Sequence, residues 1–158
     1  MLKATSALEG MAAFATPGLR MAEAPDFKLT QIAGDEKSLK KALGKLPDMG
    51  KAAGNVIRVA PSQFWILGEV PEAKNCFLTP LSSSRTRILI AGEKAVSLLK
   101  ACAAIEFSAL KSGDYVLTGM HHVPVLVHCI GEGQFHLYVL RTFSHSIWDW
   151  LVDATEGL

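Results

Sequence analysis

Four of the five histidines, His121, His122, His128 and His136, fall within sixteen residues of one another, with Cys129 among them. Imidazole and thiolate together make a good zinc set, and that is the chemistry such crowding would supply. Extended-chain geometry works against it. His122 and His128 would share one face of a strand while Cys129 points to the other. The rise from His122 to His128 is also about 20 Å, too far for one ion unless Pro124 bends the chain. His121 or His122 could still meet His136 across a hairpin. The reading preferred here is ordinary strand histidines, with no metal site assigned.

A nucleophile with its base is the second chemistry to test. Ser82, Ser83 and Ser84 precede a strand, but no G-x-S-x-G elbow surrounds them. Cys76, Cys102 and Cys129 each lie in an apolar run, which raises a thiol pKa. Only Cys129 has a neighbouring histidine, and strand alternation aims the two apart. Asp35-Glu36, Glu69 with Glu72, and Asp149 with Asp153 read as cap, loop and helix-surface residues. Gly131-Glu132-Gly133 is a turn, because no G-x-G-x-x-G or Walker pattern follows it. The sequence therefore assigns no catalytic, cofactor-binding or metal-binding residue to this chain.

The elements that would position these groups read as follows. Residues 1–25 mix Ala, Met, Gly and Pro without a clean period, which predicts an irregular arm. Its Leu2, Leu8, Met11, Phe14, Leu19 and Met21 are too apolar for a solvated tail, so it is expected to pack on its own domain or on a partner. Residues 26–158 read as a single domain. Phe27–Ile32 predicts a strand, and Asp35 caps a helix whose stripe is Leu39, Ala42, Leu43 and Leu46. Pro47 is expected to stop that helix. Lys37, Lys40, Lys41 and Lys45 form its solvated face. Asn55–Val59 and Phe64–Leu67 make a hairpin around Ala60-Pro61-Ser62-Gln63.

Cys76–Leu81 then leads into Ser82-Ser83-Ser84 and a strand, Arg85–Ala91. A helix follows with the stripe Ala95, Leu98, Leu99 and Cys102. Tyr115–Met120, Pro124–Ile130 and Phe135–Phe143 are three further strands. Ser144 is expected to cap the last helix, whose stripe is Ile147, Trp148, Leu151 and Val152, and Gly157 to end it. Helices alternating with runs of hairpin-linked strands give an α+β fold, a mixed or antiparallel sheet with helices on one face.

Composition bounds the partners. A net charge of +1 supplies no field to draw in nucleic acid or an anionic membrane. Three widely spaced cysteines suit a reducing compartment rather than a disulfide framework. The apolar stretch Met11–Ala15 is broken by Glu9-Gly10 and Pro17-Gly18, too short for a secretory signal. No window approaches the roughly 20 residues that span a bilayer. A soluble, cytoplasmic protein is expected. Trp148 and Trp150, two apart on one helix, cannot share a narrow core stripe. Trp148 joins the buried face, and Trp150 projects to a flank where it can anchor a partner. Met11 and Phe14 make the same point, and a mean hydropathy of +0.25 with no span suits a surface that is partly covered.

Longer segments carry a resemblance. Leu81-Ser82-Ser83-Ser84-Arg85-Thr86-Arg87-Ile88-Leu89-Ile90-Ala91-Gly92, followed by a helix with Leu98-Leu99, resembles the middle of sarcosine oxidase gamma subunits. Val123-Pro124-Val125-Leu126-Val127-His128 resembles their "VLLHR"-like strand. Phe135-His136-Leu137-Tyr138-Val139-Leu140-Arg141-Thr142-Phe143 is similar to their "F-x-L-Y-V-x-R-S-F" strand. Ser146-Ile147-Trp148-Asp149-Trp150-Leu151 is similar to their "S-x-W-x-W-L" helix. Thr142 stands where Ser is usual and Cys129 where Arg is usual. Pro61, Phe64 and Trp65 match a "G-P-D-E-W-L-L"-like hairpin, whereas Ser62-Gln63 lack its acidic pair.

The likeness covers residues ~55–157 and rests on the order of whole segments. It implies a fold like the folate-binding domain of glycine-cleavage aminomethyltransferases. It also implies a non-catalytic gamma chain in a heterotetrameric flavoenzyme that demethylates an N-methyl amino acid such as sarcosine. Alpha, beta and delta chains would be its partners, and FAD, FMN, NAD, zinc and tetrahydrofolate would lie in those other subunits. A related N-methylglutamate or other amine-demethylating dehydrogenase, or a stand-alone folate-binding module, is the alternative.

Overall fold

Thr86, Ile88 and Ile90 face one side of a strand while Arg85, Arg87 and Leu89 face the other. That alternation separates two layers of core. The computed structural model describes residues 5–158, so Leu2 of the expected arm lies outside the described residues. In chain order the elements are β1 (Phe14–Thr16), β2 (Leu19–Glu23), β3 (Leu29–Ala33), α1 (Glu36–Leu43), β4 (Ala52–Ala53), β5 (Val56–Ala60), β6 (Gln63–Leu67) and β7 (Phe77–Pro80). They continue as β8 (Arg85–Ala91), α2 (Ala95–Cys102), β9 (Tyr115–Met120), β10 (Val123–Gly131), β11 (Gln134–Leu140) and α3 (Ser144–Ala154).

The strands form a six-stranded sheet in the order β1-β2-β8-β11-β10-β9 and a five-stranded sheet in the order β4-β5-β6-β3-β7. Every pairing is antiparallel. One face of the first sheet, with Met21, Ile88, Ile90, Val125, Val127, Leu137 and Val139, packs on Leu98 and Leu99 of α2 and Ile147, Trp148 and Leu151 of α3. Burying each of these leucines and isoleucines stabilises the fold by about 1.5–3 kcal/mol. The opposite face presents Tyr115, Leu126 and Tyr138 to Leu29 and Ile57 of the second sheet. The outer face of that second sheet packs Ile32, Phe64 and Ile66 on Leu39 of α1. The layers thus run helices, sheet, sheet, helix. The α+β class read from the sequence is the one observed, with the strands divided between two sheets, the first carrying α2 and α3 and the second α1 on its outer face. No helix among the described residues is long and apolar enough to cross a membrane.

Several local expectations are corrected. Residues 14–23 are not an irregular arm: β1 and β2 form a hairpin that joins the first sheet beside β8. Leu19 and Met21 are buried while Arg20 between them is exposed, a period of two only five residues long. Helix α1 starts on the expected cap, since Asp35 accepts from Ser38 N at 3.0 Å and from Ser38 Oγ at 2.7 Å. It ends at Gly44 rather than Pro47, because Gly44 at φ 73° turns the chain and donates to Lys40 O. Strand β11 stops at Leu140 and a 3₁₀ turn covers Arg141–Phe143. Ser144 is therefore inside α3, not its cap, and its buried hydroxyl donates to Thr86 Oγ1 at 2.7 Å. At the other end α3 passes into a 3₁₀ turn over Thr155–Gly157.

A junction of three glycines ties the hairpin to the sheet. Gly92 N donates to Gly133 O at 2.9 Å and Lys94 N donates to Gly18 O at 3.0 Å. Gly92 has φ 127°, and a Cβ there would lie 2.2 Å from Gly18 O. Only glycine fits such an approach.

Candidate functional site

Five side chains from the first sheet converge on the space between the sheets. In the β10–β11 ladder His128 stands opposite His136, and in the β9–β10 ladder it stands opposite Tyr115. Tyr138 stands opposite Arg87 of β8. Directly opposed residues project to the same face, so all five share the side away from α2 and α3. Phe27, just before β3, closes over them with its ring 5.5 Å from Tyr138, edge to face at 76°. Together they line a cavity of about 650 Å³, with Asp26, Lys28 and Asn55 exposed around its opening.

The rings order one another. Tyr115 and His128 stack at 3.9 Å, the His128 and His136 centroids are 6.2 Å apart, and His136 is 6.4 Å from Tyr138. Arg87 is held by donating from Nε to Ala24 O at 2.9 Å and from Nη2 to Pro25 O at 3.0 Å. Its guanidinium carbon lies 5.1 Å from the Phe27 ring centroid, a cation–π arrangement. Burial, then His136, then Arg87 push the His128 pKa down to about 4. Burial and Arg87 push His136 down to about 4 as well. Both imidazoles are therefore neutral near pH 7. Burial raises the Tyr138 phenol, partly offset by Arg87, and burial raises Tyr115. The His128 Nδ1 atom is buried without a hydrogen-bond partner.

The histidine and cysteine crowd read from the sequence separates into three places. His128 and His136 meet in the cleft. Cys129 points the other way into the first core, its Sγ 3.8 Å from Leu110 O, and burial raises its thiol pKa. His121 and His122 form the β9–β10 turn with φ of 47° and 63°, the left-handed geometry that a two-residue hairpin turn requires. Among the described residues no group of three or more His, Cys, Asp or Glu is placed to hold a metal ion. The serine run is structural. Ser82 Oγ accepts from Leu29 N at 2.9 Å, and Ser84 Oγ donates to Leu81 O at 2.8 Å, tying the strand junction. In its chemistry the cleft offers ring faces, neutral imidazole nitrogens and one guanidinium.

The three residues named for a partner surface lie around the first core. Met11 and Phe14 are half-buried against it. Trp148 is 4% exposed and Trp150 37%, with Trp150 stacked on His121 at 4.6 Å. Two further apolar residues escaped the sequence reading. Phe77 is 78% and Leu78 46% exposed on β7, the edge strand of the second sheet. A strand at an edge can be apolar and open on both faces, and its sequence then reads like a core strand. The cleft itself also escaped, because it depends on ladder register.

No protein-family model matches the sequence, and no curated protein matches it. Solved structures do. The fold is similar to a chain of heterotetrameric sarcosine oxidase from Corynebacterium sp. U-96, in a complex with pyrrole 2-carboxylate, with a TM-score of 0.78 at 17% identity. That match covers 97% of this chain and 95% of the other, so the two are of nearly equal length. The fold is also similar to glycine cleavage system aminomethyltransferase T from Bartonella henselae, with a TM-score of 0.58 at 13% identity over 85% of this chain. This chain spans 45% of that enzyme. At these identities the likeness is one of fold, shared end to end with a sarcosine oxidase chain and in part with an aminomethyltransferase.

Proposed function

We propose that the chain is the small gamma-type subunit of a heterotetrameric flavoenzyme of the sarcosine oxidase kind, which oxidatively demethylates an N-methyl amino acid. The observation that carries this reading is the fold match over 97% of this chain and 95% of a sarcosine oxidase chain. The segment order over residues ~55–157 supports it independently, because it is a property of the sequence and not of the fold. Its role in the complex is packing rather than catalysis, with alpha, beta and delta chains as partners and the cytoplasm as its location. FAD, FMN, NAD, zinc and tetrahydrofolate are assigned to those other subunits. Met11, Phe14 and Trp150 are assigned to the covered surface. The exposed Phe77 and Leu78 add apolar area that a partner would take from water. N-methylglutamate and other secondary or tertiary amines are substrates of the same chemical kind.

Affinity purification of the tagged chain from its own cells tests this. A yellow complex with three larger or different chains is expected, together with amine-dependent reduction of its flavin. Recovery of the chain alone as a stable monomer would refute the subunit reading. Tight tetrahydrofolate binding by that monomer would replace it with a stand-alone folate module.

A further inference from the structure

We propose that the cleft between the two sheets is a ligand site that takes a planar aromatic carboxylate. The cavity of about 650 Å³ falls within the roughly 300–1,000 Å³ common for small-molecule sites. Its walls are the rings of Phe27, Tyr115, His128, His136 and Tyr138, most of them already edge-on or stacked against a neighbour. Ring walls of this kind select a flat, aromatic occupant over an aliphatic one.

The charge inside the cleft selects its sign. Arg87 is the cationic group among the inner walls, and among the described residues no ion pair includes it. Its Nε and Nη2 donate to backbone carbonyls, which fix the guanidinium plane, and its remaining donors are shared between the Tyr138 hydroxyl and the cleft. The carboxylate Asp26 is exposed at the opening, and the ammonium of Lys28 there is paired with Glu69. A cation would meet Arg87 without a compensating carboxylate beside it. A carboxylate would meet the remaining guanidinium donors, a charge-assisted contact that suits it. This site is independent of the subunit assignment, since every wall comes from this one chain.

Benzoate and its neutral isostere benzamide are the probes, added to the protein in the form in which it purifies. Histidine-selective carbon-13 labelling reads the cleft directly. The Hε1 signals of His128 and His136, assigned with His128→Gln and His136→Gln, are expected to move saturably with benzoate, while those of His121, His122 and His145 stay put. Benzamide is expected to bind about tenfold more weakly or worse, the ratio set by a charge-assisted hydrogen bond. Arg87→Met is expected to abolish that preference, and Arg87→Lys to keep part of it. Equal binding of the two probes, unmoved His128 and His136 signals, or an Arg87→Met protein that still prefers benzoate would each overturn the proposal. The histidine signals of the unaltered protein decide the matter even if the Arg87 variants fail to fold.

Discussion

Tyr115 and His128 are cross-strand partners whose rings lie 3.9 Å apart between centroids and 9° from parallel. The stack seals one side of an imidazole that burial has already driven to a pKa of about 4. His136 is driven to about 4 beside it. In the unfolded chain each titrates near 6.5. As pH falls below that value the unfolded chain takes up protons first, so stability is full above about 6.5 and is lost toward 4. Both residues are only partly buried, so the loss is discounted to about 1 kcal/mol per histidine. Urea midpoints at pH 7 and pH 5 check this. The midpoint should be lower at pH 5, and His128→Gln with His136→Gln should remove most of the difference.

Gly92→Ala is expected to cost several times more than Gly44→Ala. Both positions have positive φ, but a Cβ at Gly92 would press on the backbone oxygen of Gly18 at 2.2 Å, whereas at Gly44 it meets open space. The Gly44 change costs about 1 kcal/mol through backbone strain alone. Thermal unfolding of the two variants should separate clearly, and similar midpoints would contradict the close approach.

Ser144→Ala should destabilise the fold by about 1–2 kcal/mol, because it leaves the buried Thr86 hydroxyl without its partner. Thr86→Val combined with Ser144→Ala should cost less than the two single changes added together. Strict additivity in denaturant titrations would mean that the hydroxyls do not depend on each other.

Phe77→Ser with Leu78→Thr should leave stability within about 0.5 kcal/mol per site, since both side chains are exposed. The isolated chain should aggregate less. If the β7 edge is covered in a complex, the same variant should recover fewer partner chains in the purification. Unchanged recovery would put the covered surface elsewhere.

Much of this architecture was legible in the residues. The Asp35 cap, the hairpin around Pro61-Ser62, the buried stripe Ala95, Leu98, Leu99 and Cys102, and the division of labour between Trp148 and Trp150 are local features of chain period. What escaped depends on distant partners. The alternation in β2 is short, and its pairing with β8 sets Met21 opposite Ile90, far along the chain. Ser144 looks like a cap until Thr86 is seen to occupy its hydroxyl.

The cleft turns on one irregularity. Counting back from the Gly131–Gln134 pair, a regular ladder would set His128 opposite Leu137, with His136 on the other face. The register shift between Cys129 and Gly131 moves the pairing by one residue and brings His128 opposite His136. Glu132-Gly133 carries a plain turn signal, but the bulge beside it leaves little trace in composition.

The pairing of β2 with β8 also bears on how the protein is made. Strands β3 to β7 are synthesised between them, so Leu19 and Met21 leave the ribosome long before Ile88 and Ile90 exist to cover them. At about 5–20 residues per second that interval is several seconds. Throughout it the hairpin of β1 and β2 presents an apolar strand whose other edge is still open, and the closing contacts are of the slow, non-local kind. A chaperone that shields residues 14–23 during translation would be working where this topology is most vulnerable.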